Sequence, residues 1–324
     1  MLYYNIIHIM RSSSYKVQIY ISDNFCNFYF PFVLYRNIIY NIFKENLTTN
    51  IEYVYNIEDI DNTENTIIIM NIYCLHYINK NNLFPNINKT KKLVINTEFY
   101  KNHYTNEIIE IIDMNECDFY ILEYNVLNYD FFKDKYKNVN IFFAPLIYDP
   151  SLETYYKNQI ENKYIEWNEK DIDVLFVGSV NDRRRTVLDK IAQKYNVNII
   201  ENFFGERENK IICERIERSK IILNILYYEE NSIFDYYRNS LLISNKILLV
   251  SEKPKNINNE LEYYFEGIDD ELFVCEYDDF FNKVDMILTN YNQFQINEIK
   301  NKQYNWFKSK KDMNYFVDFI KTNF

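Results

Sequence analysis

A glycine-containing segment in the second half of the chain carries the residues best suited to chemistry. Gly178 and Ser179 follow an apolar run, and Arg183 and Arg184 come a few positions later. Glycine lets backbone amides approach a ligand closely, and the amino end of a following helix favours negative charge. Arginine binds phosphate through two parallel N–H donors. The segment therefore predicts a binding site for a phosphorylated ligand.

The same segment has a plainer interpretation as a tight turn with one glycine, followed by arginines exposed on a helix. It matches neither the G-x-G-x-x-G pattern of dinucleotide-binding folds nor the G-x-x-x-x-G-K-[ST] pattern of P-loops. A nicotinamide-dependent oxidoreductase is therefore disfavoured. The anion-binding and plain-turn interpretations both stay open.

Further polar residues follow other predicted strands of this region. Gly205 lies in a loop that either contacts the base or ribose of a nucleotide or forms an ordinary turn. Asp235 and Arg238 are three residues apart near the start of a predicted helix, so they share a face suited to sugar hydroxyls and phosphate. A local ion pair between them is the alternative. Glu252 ends a predicted strand, where it either contacts a ligand or caps the following loop.

Alternating strand-like and helical segments predict the elements that position these residues. In the first half the predicted strands are Lys16–Ser22, Ile51–Tyr55, Thr66–Ile72, Lys92–Thr97, Asp118–Glu123 and Val139–Ala144. In the second half they are Asp173–Val177, Val197–Glu201, Ile221–Leu226, Ile247–Ser251 and Glu271–Cys275. The predicted helices are Phe30–Lys44, Thr105–Met114, Asp182–Tyr195, Glu208–Ser219, Ser232–Ser244 and Asp278–Asn290. This alternation predicts an α/β fold with parallel sheets, whose ligands bind beyond the carboxyl ends of the strands.

The length of 324 residues favours two domains. Two prolines near residue 150 lead into a polar stretch, which is typical of a linker. We predict an N-terminal Rossmann-like domain at 1–150, a linker at 151–170, a C-terminal Rossmann-like domain at 171–296 and a helical tail at 297–324. The two domains are expected to face each other across a cleft that holds the ligand.

Composition and charge argue against several classes of protein. The net charge of −11, without a basic tail, disfavours nucleic acid as a partner. The five cysteines are far apart and never form CxxC, which indicates reduced thiols and no metal site. Asp171 and Asp173 mimic a metal-binding DxD motif, but they precede a strand instead of following one. No stretch approaches the ~20 apolar residues of a membrane span, so a cytoplasmic protein without a transmembrane segment is expected.

The sequence from Val174 to Glu252 resembles the C-terminal half of GT-B glycosyltransferases. The similarity is greatest to the glycosyltransferase group 1-like proteins of bacteria and large DNA viruses. The matching segments are, in order, Phe176–Arg184, Gly205–Glu206, Ser219–Asn224, Phe234–Arg238 and Asn245–Glu252. Looser similarity to the N-terminal half of the same group is found at Ile95–Glu98 and Phe143–Tyr148.

The resemblance implies transfer of a sugar, most simply a hexose, from a nucleotide-sugar donor to a sugar, glycan or protein acceptor. The C-terminal domain would hold the donor, and the N-terminal domain would hold the acceptor. The amides of Gly178 and Ser179, with Arg183 or Arg238, would stabilise the charge of the leaving diphosphate without a metal or cofactor. Asn224 lies in a matching segment and joins the expected donor-binding residues. A large DNA virus as source would place the protein in the host cytoplasm.

The chain departs from the family pattern at two points. The E-x7-E pair of the larger retaining families is missing, because Glu230 is followed at that spacing by Arg238. Asp235 stands where many members have glutamate. The resemblance identifies no catalytic base, so we take Glu98 and His103, near the end of an N-terminal strand, as candidates. A catalytically inactive GT-B-like nucleotide-binding or scaffold protein is the alternative.

Overall fold

The structure is a computed structural model. It describes residues 15–21, 38–45, 47–48, 50–96, 119–123, 125–136, 140–143, 148–201, 206–229, 236–254, 274–309 and 322. The chain divides into two compact units, one formed by Met1–Pro145 with Asp312–Phe324 and the other by Leu146–Lys311. The donor and acceptor roles expected for the two halves stay predictions.

The first unit contains a six-stranded parallel sheet in the order β2-β1-β3-β4-β5-β6. Its strands are β1 (Lys16–Tyr20), β2 (Ile51–Val54), β3 (Thr66–Asn71), β4 (Lys91–Asn96), β5 (Phe119–Glu123) and β6 (Asn140–Phe143). Its helices include α1 (Ile72–Lys80) and α2 (Val126–Lys135), and residues 38–45 are also helical. Short 3₁₀ helices lie at Ile57–Asp59 and Phe84–Ile87.

The core of the first unit explains why its strands are apolar runs. All six residues of β3 are buried, as expected for a parallel strand covered on both faces. Leu75 and Ile78 of α1 pack into the same core. Cys74 in this helix is disulfide-bonded, so the expectation of reduced thiols is wrong at this position. Cys213 and Cys275 of the second unit are free and buried.

The second unit contains a five-stranded parallel sheet in the order β11-β10-β9-β7-β8. Its strands are β7 (Ile172–Val177), β8 (Val197–Ile200), β9 (Ser219–Asn224), β10 (Leu249–Glu252) and β11 (Val274–Cys275). Its helices are α3 (Pro150–Gln159), α4 (Asp182–Ala192), α5 (Glu206–Glu217), α6 (Tyr236–Ser244), α7 (Phe280–Asn290) and α8 (Gln293–Ser309). Short 3₁₀ helices lie at Trp167–Glu169 and Tyr277–Asp279.

The strand order of the second sheet creates a switch point between β7 and β9. The chain continues from β7 to β8 on one side, whereas β9, β10 and β11 follow on the other side. In open α/β sheets, ligands bind in the crevice at the carboxyl ends of the strands at this position. The two parallel sheets confirm the predicted Rossmann-like α/β class.

The predicted strands are confirmed as elements. Their ends differ by at most two residues, apart from β11, whose described part begins at Val274, three residues after the predicted start. The predicted helix Thr105–Met114 lies outside the described residues. Helix α3 was not predicted, although it occupies part of the proposed linker. It begins with Pro150 at its first position and is capped by the Asp149 side chain, which accepts from Ser151 N–H. Proline favours such a helix start as readily as it favours a linker.

Candidate functional site

The turn that follows β7 requires a glycine. Gly178 has a φ angle of 150°, a region that residues with a side chain disfavour. Its N–H donates to the carbonyl of Ile200, the last residue of β8, at 2.9 Å. Asn181 caps α4 by accepting from the N–H of Arg184 at 3.0 Å. The turn therefore places the amino end of α4 at the carboxyl edge of the sheet, beside the switch point.

One backbone amide of this turn donates to a carboxylate. The N–H of Val180 donates to Oε1 of Glu201 at 2.8 Å. Glu201 is the exposed residue after β8. Within the ranges described above, the N–H groups of Ser179, Asn181 and Asp182 donate to no protein acceptor. The turn thus already binds one carboxylate and keeps further donors open, as expected of an anion site at a helix amino end.

Arg183 and Glu252 form a bidentate ion pair at the same edge. The guanidinium donates through NH1 to Oε2 of Glu252 at 2.8 Å and through NH2 to Oε1. The same NH1 donates to the carbonyl of Leu226 at 2.8 Å. The guanidinium carbon also lies 4.0 Å from the ring centroid of Tyr277, whose hydroxyl donates to the Arg183 carbonyl at 2.6 Å. Glu252 is 2% exposed and accepts from the Leu226 N–H at 3.0 Å. The pair therefore ties α4 to the ends of β9 and β10.

Arg184 holds the turn against the end of β9. Its side chain donates from Nε to the carbonyl of Ile225 at 2.9 Å and from NH1 to that of Ser179 at 2.7 Å. The guanidinium carbon lies 5.1 Å from the ring centroid of Phe176 and 5.0 Å from that of Tyr227. Arg184 is only 7% exposed. It is a buried residue that fixes the geometry of the switch point.

The structure therefore places Gly178, Ser179, Arg183 and Arg184 together at one edge of the second sheet. The plain-turn interpretation expected Arg183 and Arg184 to be exposed on the helix. Instead, Arg184 is buried and the Arg183 side chain is only 16% exposed. Both guanidinium groups engage protein acceptors in this structure, so their contact with a phosphate stays a prediction.

Asn224 ends β9 and pairs in register with Ser251, the residue before Glu252 at the end of β10. Nδ2 of Asn224 donates to Oγ of Ser251 at 2.9 Å, and Asn224 is 2% exposed. The Ser251 hydroxyl donates to the Glu252 carbonyl at 3.0 Å. Asn224 thus joins the two strands in this structure. Its contact with a donor stays a prediction.

A cavity of 640 Å³ lies further along the same edge. It is lined by Lys253, which follows Glu252, and by Cys275, which pairs with Glu252 across β10 and β11. Glu276, together with Asp279 and Lys283 at the start of α7, adds further charged groups to its lining. The cavity falls within the range of about 300–1,000 Å³ that is typical of small-molecule sites.

The other predicted site residues lie wholly or partly outside the described residues. Glu98, His103, Gly205 and Asp235 belong to the ranges that the structure leaves undescribed. The backbone of Arg238 belongs to α6, and its side chain is not among those described. Their roles stay predictions.

The sequence analysis missed Glu201, Tyr227 and Tyr277, which all contact the turn or its arginines. Glu201 carried a usable signal, since it directly follows a predicted strand beside the glycine turn. Tyr277 carried none, because it lies 94 positions from Arg183.

A buried carboxylate at the carboxyl edge of the first sheet was also missed. Glu123 ends β5 and is 0% exposed. Its Oε2 accepts from Nδ2 of Asn96 at 2.5 Å, and its Oε1 accepts from the N–H of Asn125 at 3.0 Å. Asn125 in turn caps α2. Glu123 therefore joins β4, β5 and the start of α2.

A cluster of buried ionisable side chains lies at the opposite, amino edge of the second sheet. Nζ of Lys170 donates to the carbonyl of Glu217 and lies 3.9 Å from Oε1 of the same residue. Burial lowers the pKa of Lys170 to about 8. Tyr156 donates to Oε2 of Glu217 at 2.9 Å, and burial raises the pKa of Tyr156 well above its usual value. This cluster anchors the segment between α3 and β7, away from the glycine turn.

In the described part of the chain, no group of three or more His, Cys, Asp or Glu side chains is arranged to hold a metal ion. Among the helices of the same residues, none combines the length and apolarity needed to cross a membrane.

Comparison with known proteins identifies a viral relative. No family model matches the chain. The chain is 34% identical over 122 residues to the uncharacterized protein R358 of Acanthamoeba polyphaga mimivirus. The match covers 38% of this chain and 41% of that protein, so the chain spans less than half the length of the relative.

Proposed function

We propose that the chain is a metal-independent glycosyltransferase that moves a sugar from a nucleotide-sugar donor to an acceptor. The donor diphosphate would lie on the turn after β7. One observation carries the proposal: the Glu201 carboxylate accepts from the Val180 amide, next to open amides at the amino end of α4. A phosphate oxygen has the same sign of charge and accepts the same hydrogen bonds.

The position of the turn supports the proposal. It lies at the switch point of a parallel sheet, where ligands of such sheets bind. The cavity of 640 Å³ beside β10 and β11 offers room along the same edge. Sugar transfer is proposed as the reaction because residues 174–252 resemble the C-terminal half of GT-B enzymes. The two-domain GT-B arrangement, with an acceptor held by the first unit, belongs to the same proposal.

The proposed reaction requires the site to stabilise negative charge on the leaving diphosphate. The bond between the anomeric carbon and the donor phosphate breaks, the acceptor oxygen bonds to that carbon, and the acceptor proton passes to a base. Negative charge grows on the departing diphosphate. The fixed N–H donors at the amino end of α4 would stabilise this charge without a metal. Arg238 would add a cation, and Glu98 or His103 would supply the base.

An inactive nucleotide-binding or scaffold protein is a second candidate, favoured by the Arg183–Glu252 pair. Each of these side chains satisfies the other, and Glu252 is 2% exposed. Two groups that the resemblance assigns to the donor are thus engaged within the protein. Such internal pairing of Arg183 and Glu252 is expected of a protein that binds a nucleotide without catalysing sugar transfer.

Turnover of labelled donors distinguishes the two candidates. The full chain is incubated in EDTA with radiolabelled UDP-, GDP- and dTDP-sugars, and release of free sugar or transferred sugar is measured. Release supports the enzyme, and binding without release supports the second candidate. Failure to bind any of these nucleotides contradicts the enzyme and an inactive nucleotide-binding protein, and leaves only the scaffold role.

A matched pair of variants links any turnover to the carboxyl edge. Arg238→Ala should abolish donor binding. Arg218→Ala removes the same charge at the opposite edge, where Arg218 pairs with Asp171, and should leave binding unchanged. Equal effects of the two variants would contradict the proposed location.

A further inference from the structure

Two neighbouring tyrosines lie exposed in the loop after β9. Tyr227 is 42% exposed and Tyr228 is 44% exposed, although Ile225 and Leu226 immediately before them are buried. Their ring centroids are 4.9 Å apart, and the ring planes meet at 73°. Single exposed apolar residues are ordinary, but two adjacent aromatic rings form a larger open surface. The two rings make a corner at the carboxyl edge of the sheet.

This aromatic corner is fixed to the turn that carries the open amides. Nδ2 of Asn181, the cap of α4, donates to the carbonyl of Tyr227 at 2.9 Å. The guanidinium carbon of Arg184 lies 5.0 Å from the Tyr227 ring centroid, within the range of a cation–π contact. Arg184 is itself held by the carbonyls of Ile225 and Ser179. The Tyr227 ring is therefore positioned by the same residues that shape the turn.

The geometry of the corner suits a planar aromatic ligand. Aromatic rings prefer offset-stacked or edge-to-face contacts. The planes of the two tyrosine rings meet at 73°. A planar ligand that stacks on one tyrosine is therefore nearly perpendicular to the other, so it can make a stacked contact and an edge-to-face contact together. Proteins use exposed tyrosines in this way to stack nucleobases, and such stacking tolerates different bases. A nucleobase is joined through its ribose to the phosphates, so one ligand can reach both the corner and the turn.

We propose that Tyr227 and Tyr228 form the nucleobase platform of this site, which selects a nucleoside diphosphate over a diphosphate that lacks a base. The inference rests on the proposed function, because it takes the diphosphate to lie on the turn after β7. It excludes donors whose diphosphate carries a lipid chain instead of a nucleoside.

Calorimetric titration of the full chain with UDP, GDP and inorganic pyrophosphate tests the platform. Tyr227→Ala should weaken UDP and GDP binding by about 5- to 150-fold and leave pyrophosphate binding unchanged. Tyr227→Phe keeps the ring and should bind like the wild type. Tyr228→Ala should weaken the same two nucleotides and spare pyrophosphate. Urea unfolding followed by tryptophan fluorescence checks that each variant is folded.

The outcomes separate this inference from the proposed function. If nucleotides bind and Tyr227→Ala leaves their affinity unchanged, the platform is refuted while the turn site stands. Equal weakening of nucleotides and pyrophosphate would show that the tyrosine only shapes the turn, which also overturns the inference. If neither nucleotides nor pyrophosphate bind the wild type, the proposed function itself fails.

Discussion

Replacing Glu252 by glutamine tests whether the Arg183–Glu252 pair holds the carboxyl edge of the second sheet together. Glu252 accepts from the Arg183 guanidinium and from the Leu226 N–H. Glutamine keeps the shape of the side chain and one carbonyl oxygen, so the bond from Leu226 can persist. The charge that balances Arg183 is lost.

The expected cost follows from the burial of the pair. Breaking a buried ion pair by removing one charge costs about 3–5 kcal/mol, because the other charge stays desolvated. The Arg183 side chain keeps 16% of its surface exposed and retains its bond to Leu226 and its contact with Tyr277. The lower end of the range therefore applies, and we expect the second unit to lose about 3 kcal/mol of unfolding free energy.

Urea unfolding followed by tryptophan fluorescence measures this loss in the correct unit. The chain has 2 tryptophans, and both Trp167 and Trp306 lie in Leu146–Lys311. Glu201→Gln is the matched control, since Glu201 is 40% exposed and lies 3.9 Å from Arg185. Breaking that surface pair should cost less than about 1 kcal/mol.

A double variant sharpens the test. Arg183→Met with Glu252→Gln should cost less than the sum of the two single variants, because the pair is lost only once. The reasoning fails if Glu252→Gln costs no more than Glu201→Gln, or if the two single costs simply add.

Three further predictions concern the turn and the amino edge. Gly178→Val places a β-branched residue at a φ of 150° and should cost about 1–3 kcal/mol in the same urea assay, so unchanged stability would contradict the required glycine. Glu201→Gln removes the negative charge that would repel a diphosphate at the turn, so it should strengthen UDP binding in calorimetry, whereas the exposed Glu298→Gln should not; weaker binding would count against the anion site. Burial lowers the pKa of Lys170 from 10.5 to about 8, so stability should rise with pH between these values. Relative to Lys170→Met, the wild type should gain about 1–2 kcal/mol of unfolding free energy between pH 8 and 9.5, and a flat difference would refute this.

The sheets could be predicted from sequence because parallel strands buried on both faces are apolar runs. Thr66–Asn71 is such a run, and its position was correct within one residue. Helix α1 was missed because Ile72 follows β3 directly, so no turn residue separates strand from helix. Helix α3 was missed because Pro150 suits both a helix start and a linker. Short apolar and proline signals do not separate these cases.

The position of the glycine turn at the sheet edge was predicted from sequence, but the contacts of its arginines were not. Gly178 and the arginines after it were correctly assigned to the carboxyl edge, since the order of strand, glycine and helix is local in the sequence. The acceptors of Arg183 are the Leu226 carbonyl, 43 positions away, and Glu252, 69 positions away. Which carbonyl or carboxylate lies within reach of a guanidinium depends on the strand order, and local sequence carries no information on that order.

Amide chemical shifts of the labelled full chain, recorded during titration with UDP and GDP, test most directly whether the second unit binds a diphosphate at its glycine turn. The largest shifts should fall on the N–H groups of Ser179, Asn181 and Asp182, which donate to no acceptor in the described part of the chain. Saturable binding that leaves these amides unmoved, or no binding at all, would contradict the account.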